Sequence, residues 1–296
     1  MEKMKRLLFL TVLFCSPVFA DELPVLWLTA GQENAMYFDE PEGHWILRHE
    51  HRVLSSGTIR EMQMRVSWQS EPRVSNFASL KTPPLNPGLQ LRAEFLVDNV
   101  PKYKVIIAAS EPFEDRKTWF DKHSIALYDP EGTTIELFEE EEIPYRRLRS
   151  FADIESVEKA VIVIGEGTDF DREKGLAELL FEKAAQGGSI LVIAPKGDIP
   201  LVFSSPIHSL LMTESPKHIF SDVSDRTKWE TWALDVVSNQ VVLTGAPPGG
   251  ATVVDIHFPN GRIIFDRVRT VHQWRELKRV EARWYFKSLI ETLTNE

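Results

Sequence analysis

The fold of this chain is decided by AVIVIGEG at residues 160–167 and GGSILVIA at residues 187–194, two apolar runs that enclose a leucine-rich segment. Both runs are continuous rather than alternating, which is typical of strands buried on both faces of a parallel sheet. The segment between them predicts a helix from about Arg172 to Gln186. It ends at Gly187 and Gly188, because glycine adopts the left-handed conformation at little cost. Two strands joined by a crossover helix predict a right-handed β-α-β unit.

Further elements on both sides of this unit extend the predicted sheet. Residues 124–128 form a short apolar strand, and the turn at 129–132 follows it. Thr133 and Glu136 fit a capping box at the start of a helix that runs to Glu142. Later strands are predicted at 240–243, 251–256 and 261–265. A last helix, from about 274 to 293, would bury Leu277, Trp284, Leu289 and Leu293. The predicted fold is α/β, with an open, mostly parallel sheet flanked by helices.

The N-terminal third has a different pattern, with short strands between turn-forming residues. Strands are predicted at 25–28, 45–47, 62–68 and 89–97, and several of them alternate apolar with polar residues. This pattern predicts a small β-rich module with one face toward solvent. Residues 104–109 either close this module or open the next. The expected division is a β-rich module at 21–122 and an α/β domain at 123–296.

The first twenty residues predict a secretory signal peptide. A positively charged start is followed by an apolar run at 7–15 and by the small-x-small sequence Val18-Phe19-Ala20. Cleavage is expected after Ala20, which makes the mature protein periplasmic or secreted; an uncleaved anchor is the alternative. The single cysteine, Cys15, lies in this segment. No later apolar run reaches bilayer length, so no membrane association is expected after cleavage.

Composition excludes several classes of protein. The chain has 296 residues, 43% of them hydrophobic, and a net charge of -10. The apolar content is sufficient for a folded core and is not that of a disordered or collagen-like chain. The negative charge argues against a nucleic-acid partner, because phosphate affinity comes mainly from lysine and arginine. The sequence indicates no cofactor and no metal.

The central stretch resembles class I glutamine amidotransferase-like domains. It is most similar to trehalose-utilisation-like proteins and to non-catalytic domains attached to bacterial glycoside hydrolases, which carry a strand ending in Gly-Glu, a helix, and Gly-Gly before the next strand. Lys217-His218-Ile219-Phe220 is similar to their His-Pro-Ile-Phe turn, and Trp229 and the run 261–264 also fit. The resemblance covers roughly residues 125–293. It implies a flavodoxin-like sheet and a link to carbohydrate metabolism.

The sequence departs from this family at the nucleophile. Active amidotransferases present a cysteine on a sharp turn after the Gly-Gly strand, with a glycine two places later. Here Gly197 is kept and Pro195 stands where the cysteine is expected. Proline offers no thiol, hydroxyl or amide hydrogen. Glutamine hydrolysis by that mechanism is therefore excluded. We expect a non-catalytic role in binding or assembly, whose partner is an unidentified small molecule, glycan or protein.

Polar residues at the predicted carboxyl ends of the strands form the candidate binding site. Open α/β sheets bind ligands at this edge, where charged side chains could hold sugar hydroxyls or a cation. An alternative explanation is that such residues cap helices. The candidates are Asp129, Glu166, Asp169, Lys196, Asp198 and His218.

Enzymatic alternatives involve the same residues. The sequence DPEGTT at 129–134 resembles the first motif of haloacid dehalogenase-like phosphatases, which would make Asp129 the nucleophile and Glu131 the general acid. A glutamate replaces the family's second aspartate, and no later paired acidic motif completes a magnesium site. An ordinary turn with a helix cap explains the same residues. A second alternative is a hydrolase that uses Glu166 and Asp198.

Three further groups have a structural and a functional interpretation. His44, His49 and His51 could begin a zinc site, but a solvent-exposed edge strand explains them better. The acidic run 139–142 and the basic tail from Arg267 to Arg283 could dock on each other, although two solvated faces are favoured. Tryptophans in the C-terminal part could stack on sugars, but they more often fill a core.

Overall fold

The computed structural model describes residues 23–38, 43–64, 73–197, 199, 208–213 and 253–294. Several predictions lie outside these ranges: the signal peptide, the strand at 240–243, Asp198 and His218.

Eight strands form two sheets in the N-terminal part. The larger has five strands in the order β1-β8-β7-β3-β4, and the smaller has the order β2-β6-β5. β1 runs parallel to β8, and the other neighbours are antiparallel. The strands are β1 (Val25–Thr29), β2 (Glu33–Phe38), β3 (His44–His49), β4 (Arg52–Thr58), β5 (Arg60–Met64), β6 (Arg73–Lys81), β7 (Gln90–Val97) and β8 (Val100–Ala108). The segment 104–109 thus closes this module.

Side chains from both sheets share one hydrophobic core. Leu80 and Met36 of the smaller sheet pack in a cluster with residues of the larger sheet. Within the larger sheet, the rings of Trp45 and Phe95 stack with centroids 5.9 Å apart. Alternation along β7 buries Ala93 and Phe95 but leaves Glu94 between them exposed, which explains the alternating sequence pattern.

The second part of the chain is built on one seven-stranded sheet with the order β10-β9-β11-β12-β15-β14-β13. The first five strands of this order are parallel, and β14 and β13 are antiparallel additions. The strands are β9 (Ile125–Tyr128), β10 (Arg146–Leu148), β11 (Val161–Ile164), β12 (Ser189–Ile193), β13 (Ser209–Thr213), β14 (Val253–His257) and β15 (Arg262–Asp266). The described helices are α1 (Arg116–Lys122), α2 (Thr133–Glu140), α3 (Phe151–Glu155), α4 (Leu176–Ala185), α5 (Thr270–Arg275) and α6 (Val280–Thr294). The predicted α/β class, with a mostly parallel sheet flanked by helices, is confirmed.

Helices cover both faces of this sheet. One core cluster joins alternate strand residues, such as Val163 and Leu191, to Phe138 of α2 and Phe286 of α6. The other joins the intervening residues to α3 and α4, with Leu180 among its members. Because every strand residue faces one layer of helices or the other, β9 and β11 are buried along their whole length. Two-sided burial is the physical reason for the continuous apolar runs in the sequence.

Helix α6 also connects the two parts of the chain. Its Trp284 is buried with Ala108 of β8, and Nε1 of Trp284 donates a 3.0 Å hydrogen bond to the carbonyl oxygen of Ala109. Arg283 donates to the carbonyl oxygen of Ser110 at 3.1 Å. Phe120 of α1 packs in the core of the α/β part.

Several predicted helix boundaries differ from the structure: α4 begins at Leu176 rather than about Arg172, and α2 ends at Glu140 rather than Glu142. The capping box at Thr133 is absent: Gly132 is the N-cap residue of α2, with φ of 83°, and makes no side-chain capping bond. The predicted last helix is two helices, α5 and α6, separated at Lys278, whose φ is 52°. Leu277, which was expected to face inward, lies in this connection and is 50% exposed.

Candidate functional site

The direction of the strand order reverses between β9 and β11, because β10 lies on the outer side of β9 and later strands follow β11. In open α/β sheets, ligands bind in the crevice that such a reversal opens at the carboxyl ends of the strands. Asp129 follows β9, Gly165 and Glu166 follow β11, and Ala194 follows β12. The chemistry of this edge depends on what these residues contact.

The carboxylate of Asp129 holds the first turn of α2. Oδ2 accepts hydrogen bonds from the backbone amides of Thr134 at 2.7 Å and Ile135 at 2.9 Å, and Oδ1 accepts one from Gly132 at 3.1 Å. Asp129 is only 6% exposed. Burial raises its pKa, and the amide hydrogen bonds oppose this shift by stabilising the charged form. Asp129 is therefore the acceptor for amides that a helix N-terminus leaves without intrahelical partners.

Reciprocal hydrogen bonds join the loops after β9 and β11. The backbone amide of Glu166 donates to Oγ1 of Thr134 at 2.8 Å, and Oγ1 of Thr133 donates to the carbonyl oxygen of Glu166 at 3.0 Å. These bonds join the two loops where the strand order reverses. The loops after β9 and β11 are thus hydrogen-bonded to each other at the carboxyl edge of the sheet.

Glu166 performs for α5 the role that Asp129 performs for α2. Its Oε2 accepts from the backbone amides of Val271 at 2.8 Å and His272 at 3.1 Å, and Nε of Arg269 lies 3.4 Å from Oε1. Burial raises the pKa of Glu166, whereas the amide bond from His272 and the charge of Arg269 lower it. The sequence placed Glu166 at the strand end but gave no sign of its partner, which lies about a hundred residues later.

Asp266, at the end of β15, is a fully buried carboxylate that the sequence analysis missed. It accepts hydrogen bonds from the amide of Val268 at 3.0 Å, from Oγ1 of Thr270 at 2.9 Å and from the hydroxyl of Tyr285 at 3.0 Å. Burial raises its pKa to about 7, and the charge of Glu166 adds to the shift. An acidic residue directly after an apolar strand was the signal that identified Asp129, and the same signal applies to Asp266.

The bend after β12 differs from the prediction by one residue. Ala194 has φ of 39°, in the left-handed region, and Pro195 follows it as a buried residue. The amide of Ala194 donates to the carbonyl oxygen of Asp266 at 2.6 Å, and its carbonyl oxygen accepts from the amide of Gly167 at 3.1 Å. The residue at the sharp turn is therefore Ala194 rather than Pro195. Its methyl group carries no nucleophilic atom.

Asp169 and Lys196 lie side by side on adjoining loops. The amide of Lys196 donates to the carbonyl oxygen of Thr168 at 2.9 Å, and the two residues form an isolated parallel bridge. The carboxylate of Asp169 accepts from the amide of Asp171 at 3.0 Å and lies 3.3 Å from Nε of Arg172. Lys196 is exposed. Of the predicted site residues, Glu166, Asp169 and Lys196 thus come from loops that are hydrogen-bonded to each other.

This geometry bears on the phosphatase hypothesis. A nucleophilic carboxylate must present an oxygen to phosphorus, but both oxygens of Asp129 accept hydrogen bonds from the backbone at the start of α2. Glu131 is exposed beside this turn. The arrangement is that of a helix anchor, which was the structural alternative to the phosphatase motif.

The histidines near residue 50 do not lie on an edge strand. His44 and His49 belong to β3, which has β4 and β7 as neighbours, so β4 is the edge. Nδ1 of His49 lies 2.6 Å from the carbonyl oxygen of Arg92. Among the residues that the structure describes, no group of three or more potential metal ligands occurs.

The acidic end of α2 and the basic C-terminal residues form ion pairs with each other. Arg275 contacts both Glu136 and Glu140, the latter at 2.7 Å, and Arg283 lies 2.8 Å from Glu141. The expectation of two separate solvated faces is therefore wrong, and these charges link α2 to α5 and α6.

Within the described ranges, no helix has the length and apolar character needed to cross a bilayer. Comparisons with models of protein families, with curated proteins and with solved structures find no match to this chain.

Proposed function

We propose that this chain is an exported, non-catalytic α/β protein of the amidotransferase-like kind, with a role in binding or assembly. Its proposed ligand is a small polar molecule such as a sugar, held at the carboxyl edge of the seven-stranded sheet. The proposal rests on one observation: both oxygens of each strand-end carboxylate, Asp129 and Glu166, accept hydrogen bonds from the chain itself. Carboxylates held in this way support the helices rather than chemistry on a substrate.

The strand order supports the fold assignment within this proposal. Numbered along the α/β part, the five parallel strands have the order 2-1-3-4-5. This is the order of flavodoxin-like sheets. It agrees with the resemblance of residues 160–194 to amidotransferase-like domains, and Ala194 at the bend agrees with their non-catalytic branch.

The exposed polar groups of the same edge are the proposed ligand contacts. Lys196 offers an ammonium group, and Asp169 offers a carboxylate whose backbone is fixed by the adjoining loop. Charged groups on a hydrogen-bonded loop pair can donate to and accept from sugar hydroxyls, and the fixed backbone lowers the entropic cost of ordering the loops. Export, inferred from the N-terminal sequence, would bring the protein into contact with extracellular or periplasmic glycans.

A thermal-shift screen with neutral mono- and disaccharides tests the binding role. The expected result is a rise in melting temperature with at least one sugar, reduced in Asp169→Asn and in Lys196→Gln. Lys174→Gln, a change at an exposed lysine outside the bridged pair, serves as the control and should keep the shift. If no sugar raises the melting temperature, the proposed ligand is not a carbohydrate.

An assay with p-nitrophenyl phosphate and Mg²⁺ tests the catalytic alternative. We expect no turnover from the wild-type protein. Turnover that disappears in Asp129→Asn while the variant remains folded would replace the binding proposal with a phosphatase.

A further inference from the structure

A groove lies at the opposite end of the seven-stranded sheet, where β9, β11 and β12 begin. A cavity of about 370 Å³ is lined by residues at the starts of these strands, including Ser124, Ala160 and Ser189. A neighbouring cavity of about 300 Å³ has Ser124 and residues 157–160 in common with it. The two cavities adjoin at this shared wall, and we call the pair the amino-edge groove.

The amino-edge groove is positively charged in a protein whose net charge is -10. Among the described residues that line it, Glu158 is the one acid, and the basic residues are Lys122, Lys159, Lys183 and Arg146. Concentration of cationic groups in a concave surface, against the sign of the whole molecule, raises the local concentration of anions.

Neutral groups hold two of these cations in place. Nζ of Lys183 donates to the carbonyl oxygen of Glu155 at 2.7 Å, and Nη2 of Arg146 donates to Oγ of Ser156 at 3.0 Å. Hydrogen bonds to a carbonyl and a hydroxyl fix the two side chains without neutralising them, although the charge of Arg146 also acts on the carboxylate of Asp153. Such groups are prepared for an anion, since part of the entropic cost of ordering them is already met.

His123 is a nearly buried residue in the lining of the groove, and nearby positive charges affect its pKa. It is 3% exposed, and its Nδ1 lies 2.8 Å from Oγ1 of Thr294. Burial lowers the pKa of His123, and the charges of Lys122 and Lys287 lower it further, whereas Glu291 opposes them.

We propose that the amino-edge groove is a binding site for a small phosphate-bearing anion of the size of pyrophosphate. Lysine supplies compact charges, and the planar guanidinium of Arg146 can bind two phosphate oxygens at once. The volume falls within the range of small-molecule sites. This site goes beyond the proposed function and is separate from the carboxyl edge: Lys183 is near the C-terminal end of α4, about 11 Å along the axis from Leu176 at its start, and Lys174 precedes the helix.

Isothermal titration calorimetry of the full chain with inorganic pyrophosphate, in 150 mM NaCl and EDTA, tests the site. The expected result is saturable 1:1 binding that weakens at least tenfold in Lys159→Glu and in Arg146→Glu. The matched control, Lys174→Glu, makes the same charge change at an exposed lysine beyond the far end of α4 and should bind within twofold of wild type. Circular dichroism verifies that each variant is folded.

Three outcomes overturn the proposal: no saturable binding, equal weakening by Lys159→Glu and Lys174→Glu, or citrate that binds as tightly as pyrophosphate. No saturable binding would show that the groove does not bind pyrophosphate. Equal weakening by the two variants would show that binding reflects only the total charge of the protein, and equally tight citrate binding would show that the groove does not select phosphate. Failure of the sugar screen would leave this result unchanged, because the two experiments use different ligands and variants at opposite edges of the sheet.

Discussion

Gly165 lies directly against the carboxyl group of Asp129. A Cβ atom at position 165 would come within 2.5 Å of Cγ of Asp129, closer than non-bonded carbon atoms approach in folded proteins. The absence of a side chain at Gly165 is thus what allows the end of β11 to pass the carboxylate that anchors α2. The close approach of Gly165 is therefore a packing constraint on this point of the sheet.

The contact predicts a non-additive pair of substitutions. Gly165→Ala should destabilise the protein by about 2 kcal/mol, because overpacking in a tightly packed interior costs about 1–3 kcal/mol. Asp129→Ala should cost more than about 2 kcal/mol, since it leaves the buried amides at the start of α2 without their acceptor. In the Asp129→Ala background the contacts with Cγ and Oδ1 are removed, although Cβ of residue 129, 2.6 Å from the added Cβ, remains. Part of the clash is therefore relieved, and the double variant should be more stable than the sum of the two effects. Urea unfolding measures all three.

Glu131→Ala is the control for this cycle, because it removes an exposed carboxylate from the same turn. Its effect should be within about 0.5 kcal/mol. Strict additivity of Gly165→Ala and Asp129→Ala would contradict the proposed contact.

Glu166 should determine the local stability of α5. Removal of its carboxylate in Glu166→Ala leaves the amides of Val271 and His272 without their acceptor. Hydrogen exchange at these two amides should become at least about tenfold faster. Glu178→Ala, at an exposed position in the first turn of α4, should leave α5 protection unchanged. Unaltered exchange at Val271 in Glu166→Ala would show that the carboxylate does not hold this helix.

Asp266 should make the protein less stable as the pH rises from about 4 to 7. Its pKa is raised from 3.8 to about 7 in the folded state, so in this interval the folded protein binds a proton that the unfolded chain has released. Stability therefore falls with rising pH over this window. Glu166 and Tyr285 face Asp266, and the charge of Glu166 contributes to the shift.

The test is Asp266→Asn, which keeps the shape of the side chain and removes its titration. Relative to wild type, the variant should gain stability as the pH rises from 4 to 7, as measured by urea unfolding at several pH values. A stability difference that stays constant across this interval would mean that Asp266 does not titrate there.

The ion pairs between α2 and α5 should contribute modestly and depend on salt. Arg275→Ala removes contacts to Glu136 and Glu140, whose side chains are about half exposed. The expected loss is about 0.5–1 kcal/mol at low ionic strength and smaller in 1 M NaCl. Arg149→Ala, at an exposed arginine in the loop before α3, should have no measurable effect. A loss from Arg275→Ala that is independent of salt would indicate packing rather than charge.

The local sequence predicted a helix or strand wherever its burial produces a recognisable pattern of apolar residues. The continuous apolar runs of β11 and β12 predicted a parallel sheet, and Gly187 with Gly188 marked the end of α4. Short helices without strong patterns, α1 and α3, were missed, as was the edge strand β4, which is largely exposed and lacks an apolar face. The capping box at Thr133 was wrong because the N-cap of α2 is Gly132, whose carbonyl oxygen accepts from the amide of Glu136, and Asp129 accepts from the amides of Thr134 and Ile135.

For the candidate site, the sequence determined which residues end the strands, because chain order and strand type place Asp129, Glu166 and Lys196 at the carboxyl edge. Tertiary structure alone decided what those residues do. The carboxylate of Glu166 accepts hydrogen bonds from amides 105 and 106 positions later in the chain. Lys159 and Lys183 line the same groove only because the assembled sheet places them there. A local pattern records how a residue is buried, whereas its hydrogen-bond partner depends on which distant segment packs against it.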